Sequence, residues 1–246
     1  MPEIRNDVQT VSLGEIGGTV SRWQYRGVDV FFPQQEVRRG GVRKVRGGMH
    51  ACWPCFGTPD AKFGLPQHGV LRDRKADVET EDGFVFRGTD LLGPAHDEES
   101  EVRIAVTLAH TGFTYALSAR LLEPAESPVF VNAGLHPYFR TPTGNAEGGA
   151  WIGKEIRFSR RLYGPTFEDI GKGAQLIIPG IGEVKMLLGG ALGTAPARKL
   201  VFWRDSRDYL CAEPVFGDSK SYGSPSCLRL TEQWLEVRCS FQIRLD

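Results

Sequence analysis

From position 235 to position 245 the chain alternates without a slip. Leu235, Val237, Cys239, Phe241, Ile243 and Leu245 fall on one side, and Glu236, Arg238, Ser240, Gln242 and Arg244 on the other. A period of two puts these sets on opposite faces of a β-strand, one buried and one wet. Val102, Ile104, Val106 and Leu108 keep the same period. After His110, Thr111 and Gly112 turn the chain, it resumes at Phe113, Tyr115, Leu117, Ala119 and Leu121. Residues 102–122 therefore predict a hairpin. Another, at which the fold is expected to open, is predicted from strands at 19–25 and 28–32 joined at Arg26 and Gly27. Shorter runs at 84–87, 129–133, 151–158, 175–178, 183–188, 199–203 and 209–213 are each bounded by Gly, Pro or Asp, and PGIG at 179–182 supplies a further turn. No window of a dozen residues sustains a helical period, and 30 glycines with 15 prolines interrupt what could otherwise propagate. The expectation is an all-β fold, a twisted antiparallel β-sandwich of large sheets. Without a linker, repeat or composition shift, residues 1–246 are expected to form a single domain.

Composition narrows the partners. Thirty basic and 30 acidic side chains cancel, so no global field favours nucleic acid or an anionic membrane, and any anion site must be local. The first residues lack a basic segment followed by an apolar run, and no later stretch approaches the roughly 20 apolar residues of a membrane helix. A soluble cytoplasmic protein is expected, and a monomer is compatible with the sequence. Five scattered cysteines, Cys52, Cys55, Cys211, Cys227 and Cys239, do not form a secreted disulfide framework, so reduced thiols are expected.

Candidate chemistry concentrates first at 46–72, RGGMHACWPCFGTPDAKFGLPQHGVLR, where glycines and prolines exclude a helix. A short strand, a long loop and a return towards another strand are expected, the kind of loop that carries function on a rigid scaffold. Cys52 and Cys55 have the spacing of a redox or zinc pair, yet no second Cys-x-x-Cys or His-x-x-x-His accompanies them. Buried strand thiols are the better reading. The glycines do not make a phosphate loop either, because Gly-Lys-Ser/Thr and a following helix are lacking. Arg46 and Arg72 frame the segment and can hold an anion through parallel hydrogen bonds, or be solvated strand-edge charges.

His96 and His110 sit in turn-like surroundings and are set aside as exposed, without a special partner. His68 and His136 lie where an apolar strand meets Pro or Gly, from which an imidazole can reach a cavity or simply be a satisfied histidine. Glu213 ends an apolar strand before Pro214. Desolvation there would raise its pKa towards a general base's range, whereas an Arg partner would make it a structural ion pair.

RGGMHACWPCFG at 46–57 with LPQHGVLR at 65–72, NAGLHPYF at 132–139 and YLCAEP at 209–214 together resemble the galactose mutarotase-like family, and within it the hexose-6-phosphate 1-epimerase branch. The resemblance spans most of the chain and implies a β-supersandwich that interconverts sugar anomers by ring opening and closure, without a cofactor. It implies Glu213 as the base towards the anomeric hydroxyl, His136 as the acid, and His68 as a hydrogen-bonding partner near the ring oxygen. Acid and base are expected on opposite sides of the sugar. Arg46 and Arg72 match arginines that contact the substrate phosphate. His50 stands where the family commonly has proline. If the strand after Gly48 is regular, His50 shares a face with Arg46 and shapes which sugar fits. A second acidic residue contacting sugar hydroxyls has Glu168 and Asp169 as nearest candidates. The implied ligand is a sugar or sugar phosphate. An epimerase of unphosphorylated aldoses and a non-catalytic carbohydrate-binding protein are the alternatives.

Overall fold

The computed structural model describes residues 2–39, 41–141, 148–151, 155–158, 166–169, 173–189, 198–204, 206, 208–217 and 222–245. Among them there is no α-helix, only three single 3₁₀ turns, and no helix is long and apolar enough to cross a membrane.

Two nine-stranded antiparallel sheets form the body of the described fold, with two two-stranded ribbons beside them. The first runs, in spatial order, through Glu3–Arg5, Gln9–Gly14, Thr19–Tyr25, Met49–Cys52, Ala133–Arg140, Tyr209–Phe216, Arg198–Trp203 and Thr166–Asp169, with Val28–Asp29 beside Thr19–Tyr25. The second orders Glu155–Phe158, Gly148–Trp151, Gly173–Ile178, Gly182–Gly189, Leu235–Leu245, Gly112–Leu121, Ser100–Ala109, Gly83–Gly88 and Val78–Glu79. The all-β sandwich expected from alternation is what forms. The hairpin predicted at 102–122 pairs Leu108 with Phe113 and Val102 with Ala119. The regular 235–245 strand lies at the centre of the second sheet, between Gly112–Leu121 and Gly182–Gly189.

Several boundaries differ. The fold opens not with the 19–25 hairpin but with Glu3–Arg5 and Gln9–Gly14, while strand 28–32 shrinks to Val28–Asp29. The single strand expected at 151–158 is two antiparallel strands, Gly148–Trp151 and Glu155–Phe158, with residues 152–154 between them outside the described residues. The 129–133 run divides. Val129–Val131 pairs with Leu228–Leu230, and Ala133 begins a longer strand. A ribbon of Gln35–Arg39 and Val42–Arg46 precedes the glycine pair. Its polar sequence gave no alternation to read.

Aromatic rings lock the two sheets together. Trp23 of the first sheet meets Phe113 of the second edge-on at 5.0 Å, and Phe31 meets Phe241 at 5.7 Å. T-shaped pairs of this kind add about 0.5–1.5 kcal/mol each beyond area burial. Gln9 satisfies the polar atoms at this junction. Its side-chain amide donates to the carbonyls of Ala109 and Gly112 at 2.6 and 2.7 Å and its oxygen accepts from Trp23 Nε1 at 3.1 Å.

Candidate active site

The inward face of the first sheet is spent on this core, and period two therefore dictates what the other face carries. Met49 and Ala51, Leu135 and Phe139, Leu210, Ala212 and Phe216, and Leu200 and Phe202 all join the core. Their alternates His50 and Cys52, His136 and Tyr138, Cys211 and Glu213, and Val201 and Trp203 must point the other way.

Register then sets the neighbours. His136 pairs directly with His50. On its other side Gly134 pairs with Val215 and Tyr138 with Cys211, so the intervening step sets His136 opposite Glu213. No ladder pair is formed between 135–137 and 212–214, where Pro137 and Pro214 lack amide donors. One row across three strands thus reads His50, His136, Glu213. The strand predicted at 209–213 does not stop before Pro214 but runs to Phe216. Pro214 still pairs with Leu200 on its other side.

His136 Nε2 lies 3.4 Å from Glu213 Oε1, both buried. The His50 ring stacks on His136 with centroids 4.8 Å apart and 21° between planes, and Tyr138 stacks at 4.7 Å and 17°. His68 stands edge-on to His136 at 5.1 Å. The candidate acid and base are therefore neighbours in one row rather than residues on opposite sides of a sugar.

His68 is carried by the irregular part of the 46–72 segment and has a positive φ of 67°, rare for a residue with a side chain. Its amide donates to the Gly57 carbonyl at 2.7 Å, and the Gly57 amide donates back to His68 Nδ1 at 3.3 Å. Cys52 Sγ also lies 3.4 Å from Nδ1. Two donors at Nδ1 leave the ring proton on Nε2. Gly69 makes this turn possible, since a Cβ there would sit 2.1 Å from the Trp53 carbonyl oxygen. At Gly134 a Cβ would strike the Phe56 ring at 2.5 Å. Phe56, held by its amide on Asn132 Oδ1 at 3.0 Å, in turn contacts His68 edge-on at 5.4 Å.

Burial governs the protonation states. It pushes Glu213 well above the usual carboxylate range. His136 is held well below the usual imidazole value by burial, then by His50, His68, Arg46 and Arg72. His50 is lowered likewise by burial, then by His68, Arg72 and Arg46. His68 is pushed down to about 4 by burial, then by Arg72 and Arg46. Both arginines thus act on all three imidazoles. The Arg46 guanidinium lies over the Trp203 ring at 5.5 Å, and Arg72 touches Asp73 at 3.3 Å.

Of the residues singled out in the sequence, His50, His68, His136 and Glu213 come together, within the fields of Arg46 and Arg72. Arg46 does not reach the group along a regular strand. Gly47 and Gly48, at φ 97° and 66°, break the chain between Val42–Arg46 and Met49–Cys52. Glu168 and Asp169 belong to the edge strand Thr166–Asp169, separated from the Glu213 strand by Arg198–Trp203; their side chains lie outside what the structure describes. Cys52 and Cys55 are buried thiols outside any disulfide, as are the other three, and burial pushes Cys55 up to about 12. His110 is exposed, but His96 is half-buried with Nδ1 3.2 Å from Glu98 Oε2, because the chain folds back on itself there. The sequence reading missed Tyr138, Trp203 and Tyr209. Trp203 meets His136 edge-on at 6.0 Å and Tyr209 meets Tyr138 at 5.0 Å. The signal available for Tyr138 was its place two residues beyond His136.

This architecture is the galactose mutarotase-like β-sandwich. The Slr1438 protein from Synechocystis sp. PCC 6803 superposes with a TM-score of 0.75 at 18% identity, covering 100% of this chain and 96% of that one. A galactose mutarotase related enzyme from Lactobacillus acidophilus gives 0.73 at 12% identity, over 99% and 97%. A galactose mutarotase-like protein from Lactobacillus casei ATCC 334 gives 0.74 at 13% identity, over 98% and 100%. No family model matches the sequence, and no curated protein matches it either.

Proposed function

We propose that the protein is an aldose mutarotase that interconverts the α and β anomers of a hexose 6-phosphate. The observation that carries this reading is the buried 3.4 Å contact of His136 with Glu213, flanked by two further imidazoles. Mutarotation moves one proton from the anomeric hydroxyl and one to the ring oxygen, and both oxygens are bonded to the same carbon. An acid and a base side by side suit that demand. Burial favours the uncharged pair, carboxylic acid and neutral imidazole. Transfer of the carboxyl proton to His136 converts it, with no change in proton count, into carboxylate and imidazolium. Glu213 then takes the hydroxyl proton as His136 protonates the ring oxygen. The ring opens, the aldehyde turns about one bond, and the reverse transfers close it. His68, with its proton on Nε2, donates to the sugar near the ring oxygen, and Tyr138 and Trp203 offer apolar faces to its ring. His50, stacked on His136, bounds the same side and restricts which sugar enters.

Arg46 and Arg72 are assigned to the phosphate. Anomer-exchange NMR on glucose 6-phosphate and on glucose tests both halves of the proposal. The Arg46→Gln, Arg72→Gln double variant is expected to raise KM for the phosphorylated sugar about 10- to 100-fold, the range for charged hydrogen bonds, and to leave free glucose nearly unaffected. An equal rise for both sugars would point to an unphosphorylated aldose instead. Exchange no faster than buffer for every sugar would leave a carbohydrate-binding role without catalysis. The resemblance also points to a cytoplasmic enzyme needing no cofactor.

A further inference from the structure

We infer that His136, Cys211 and Glu213 form a binding site for a thiophilic divalent cation of the zinc class. Cys211 and Glu213 are alternate residues of one strand and share a face, and His136 stands across from Glu213 on the next. One imidazole nitrogen, the Cys211 sulfur and one carboxylate oxygen all lie within 4.8 Å of one another. A tetrahedral zinc ion with bonds of about 2.0–2.3 Å needs its ligands about 3.3–3.8 Å apart. The three must close by about 1 Å, which small side-chain rotations supply. Nitrogen, sulfur and oxygen together favour zinc over magnesium or calcium, which take oxygen alone.

Two features set this group apart from a chance cluster. All three residues are buried, at 5%, 0% and 3% exposure, so water does not dilute their field. His136 Nε2 already lies 3.4 Å from Glu213 Oε1, within the spacing that two ligands of one zinc ion require. With three protein ligands the fourth position is left to water or a sugar oxygen. As the metal–sulfur bond forms, the Cys211 thiol proton, and that of the Glu213 carboxyl group, leave to the buffer. Because the ion takes the same two side chains that the proposed function uses for proton transfer, it competes with the sugar. That consequence rests on the mutarotase reading, whereas binding of the ion does not.

Cobalt(II) separates the two. Added to the chelator-treated protein without sugar, it is expected to give one equivalent of thiolate-to-cobalt charge-transfer absorption, retained in Cys227→Ser and lost in Cys211→Ser. Glu213→Gln should keep the band but bind about tenfold more weakly or worse, which guards against a Cys211 variant that fails to fold. Absence of the band in the parent, or its survival in folded Cys211→Ser, overturns the site. Anomer exchange measured in chelator judges the mutarotase reading separately. If exchange is present, zinc should raise the apparent KM for the sugar about tenfold, and a KM that zinc leaves unchanged overturns the competition.

Discussion

Glu213→Gln is expected to slow anomer exchange by about 10²- to 10⁴-fold, the range contributed by a positioned general base, and at pH 8 to raise the midpoint of thermal unfolding. Gln preserves the volume and the hydrogen-bonding reach towards His136 but neither takes a proton nor carries charge. The two effects have one cause. Burial raises the folded-state pKa of Glu213 well above 4.5, so the folded protein holds a proton that the unfolded chain releases. The associated stability is complete below about pH 4.5 and is lost as pH rises towards the folded value. Gln removes that loss, and its advantage therefore grows from weakly acid to alkaline pH. On the mutarotase reading, function costs stability at this position. Unchanged exchange would remove Glu213 from the reaction. A lower midpoint at pH 8 would mean that the carboxylate is already ionised and paired with an imidazolium.

Acid should unfold the protein well before its surface carboxylates titrate. His50, His68 and His136 are each held neutral in the fold below the ordinary imidazole value. As pH falls through about 6.5 the unfolded chain gains protons that the folded chain refuses, so stability falls. His68, pushed down to about 4, accounts for about 3 kcal/mol of this by pH 4. Glu213 acts in the opposite sense over the same range, for its folded form already has its proton. Three protons against one leave a net slope of about two, or roughly 2–3 kcal/mol per pH unit below pH 6.5. That is a large fraction of an ordinary domain's stability. Urea unfolding at pH 6.5, 5.5 and 5.0 measures the slope. His50→Gln should lower it by one proton and Glu213→Gln should steepen it by one. A flat profile would mean that the histidines are solvated and the site is open.

The fold was legible where one face of a strand meets water. Positions 102–121 and 235–245 alternate because their outer faces are solvated, and the hairpin and the long strand follow from that pattern. The strands that carry the site are buried on both faces. Every residue of Tyr209–Phe216 is buried, and so are Ala133 to Phe139 in their strand. No alternation survives there for a sequence to display. The individual residues His68, His136 and Glu213 stood out because each adjoins a Gly or Pro. Their meeting did not, since it depends on two strands and an irregular loop, all distant in sequence, being brought side by side. Cys211 was read only as one of five reduced thiols, although its spacing from Glu213 put it on the same face.

The prolines flanking His136 and Glu213 leave one further mark. Each of these strands keeps its other neighbour, Met49–Cys52 or Arg198–Trp203, through this stretch, yet towards each other they form no ladder pairs at 135–137 and 212–214. At the row of His136 and Glu213 the sheet resembles a zipper with teeth missing. Across that gap His136 and Glu213 face each other through a side-chain contact, while the register pairs on either side hold the two strands together. On the mutarotase reading, the acid and the base thus sit at a gap in the ladder that the sheet tolerates because it is closed on either side.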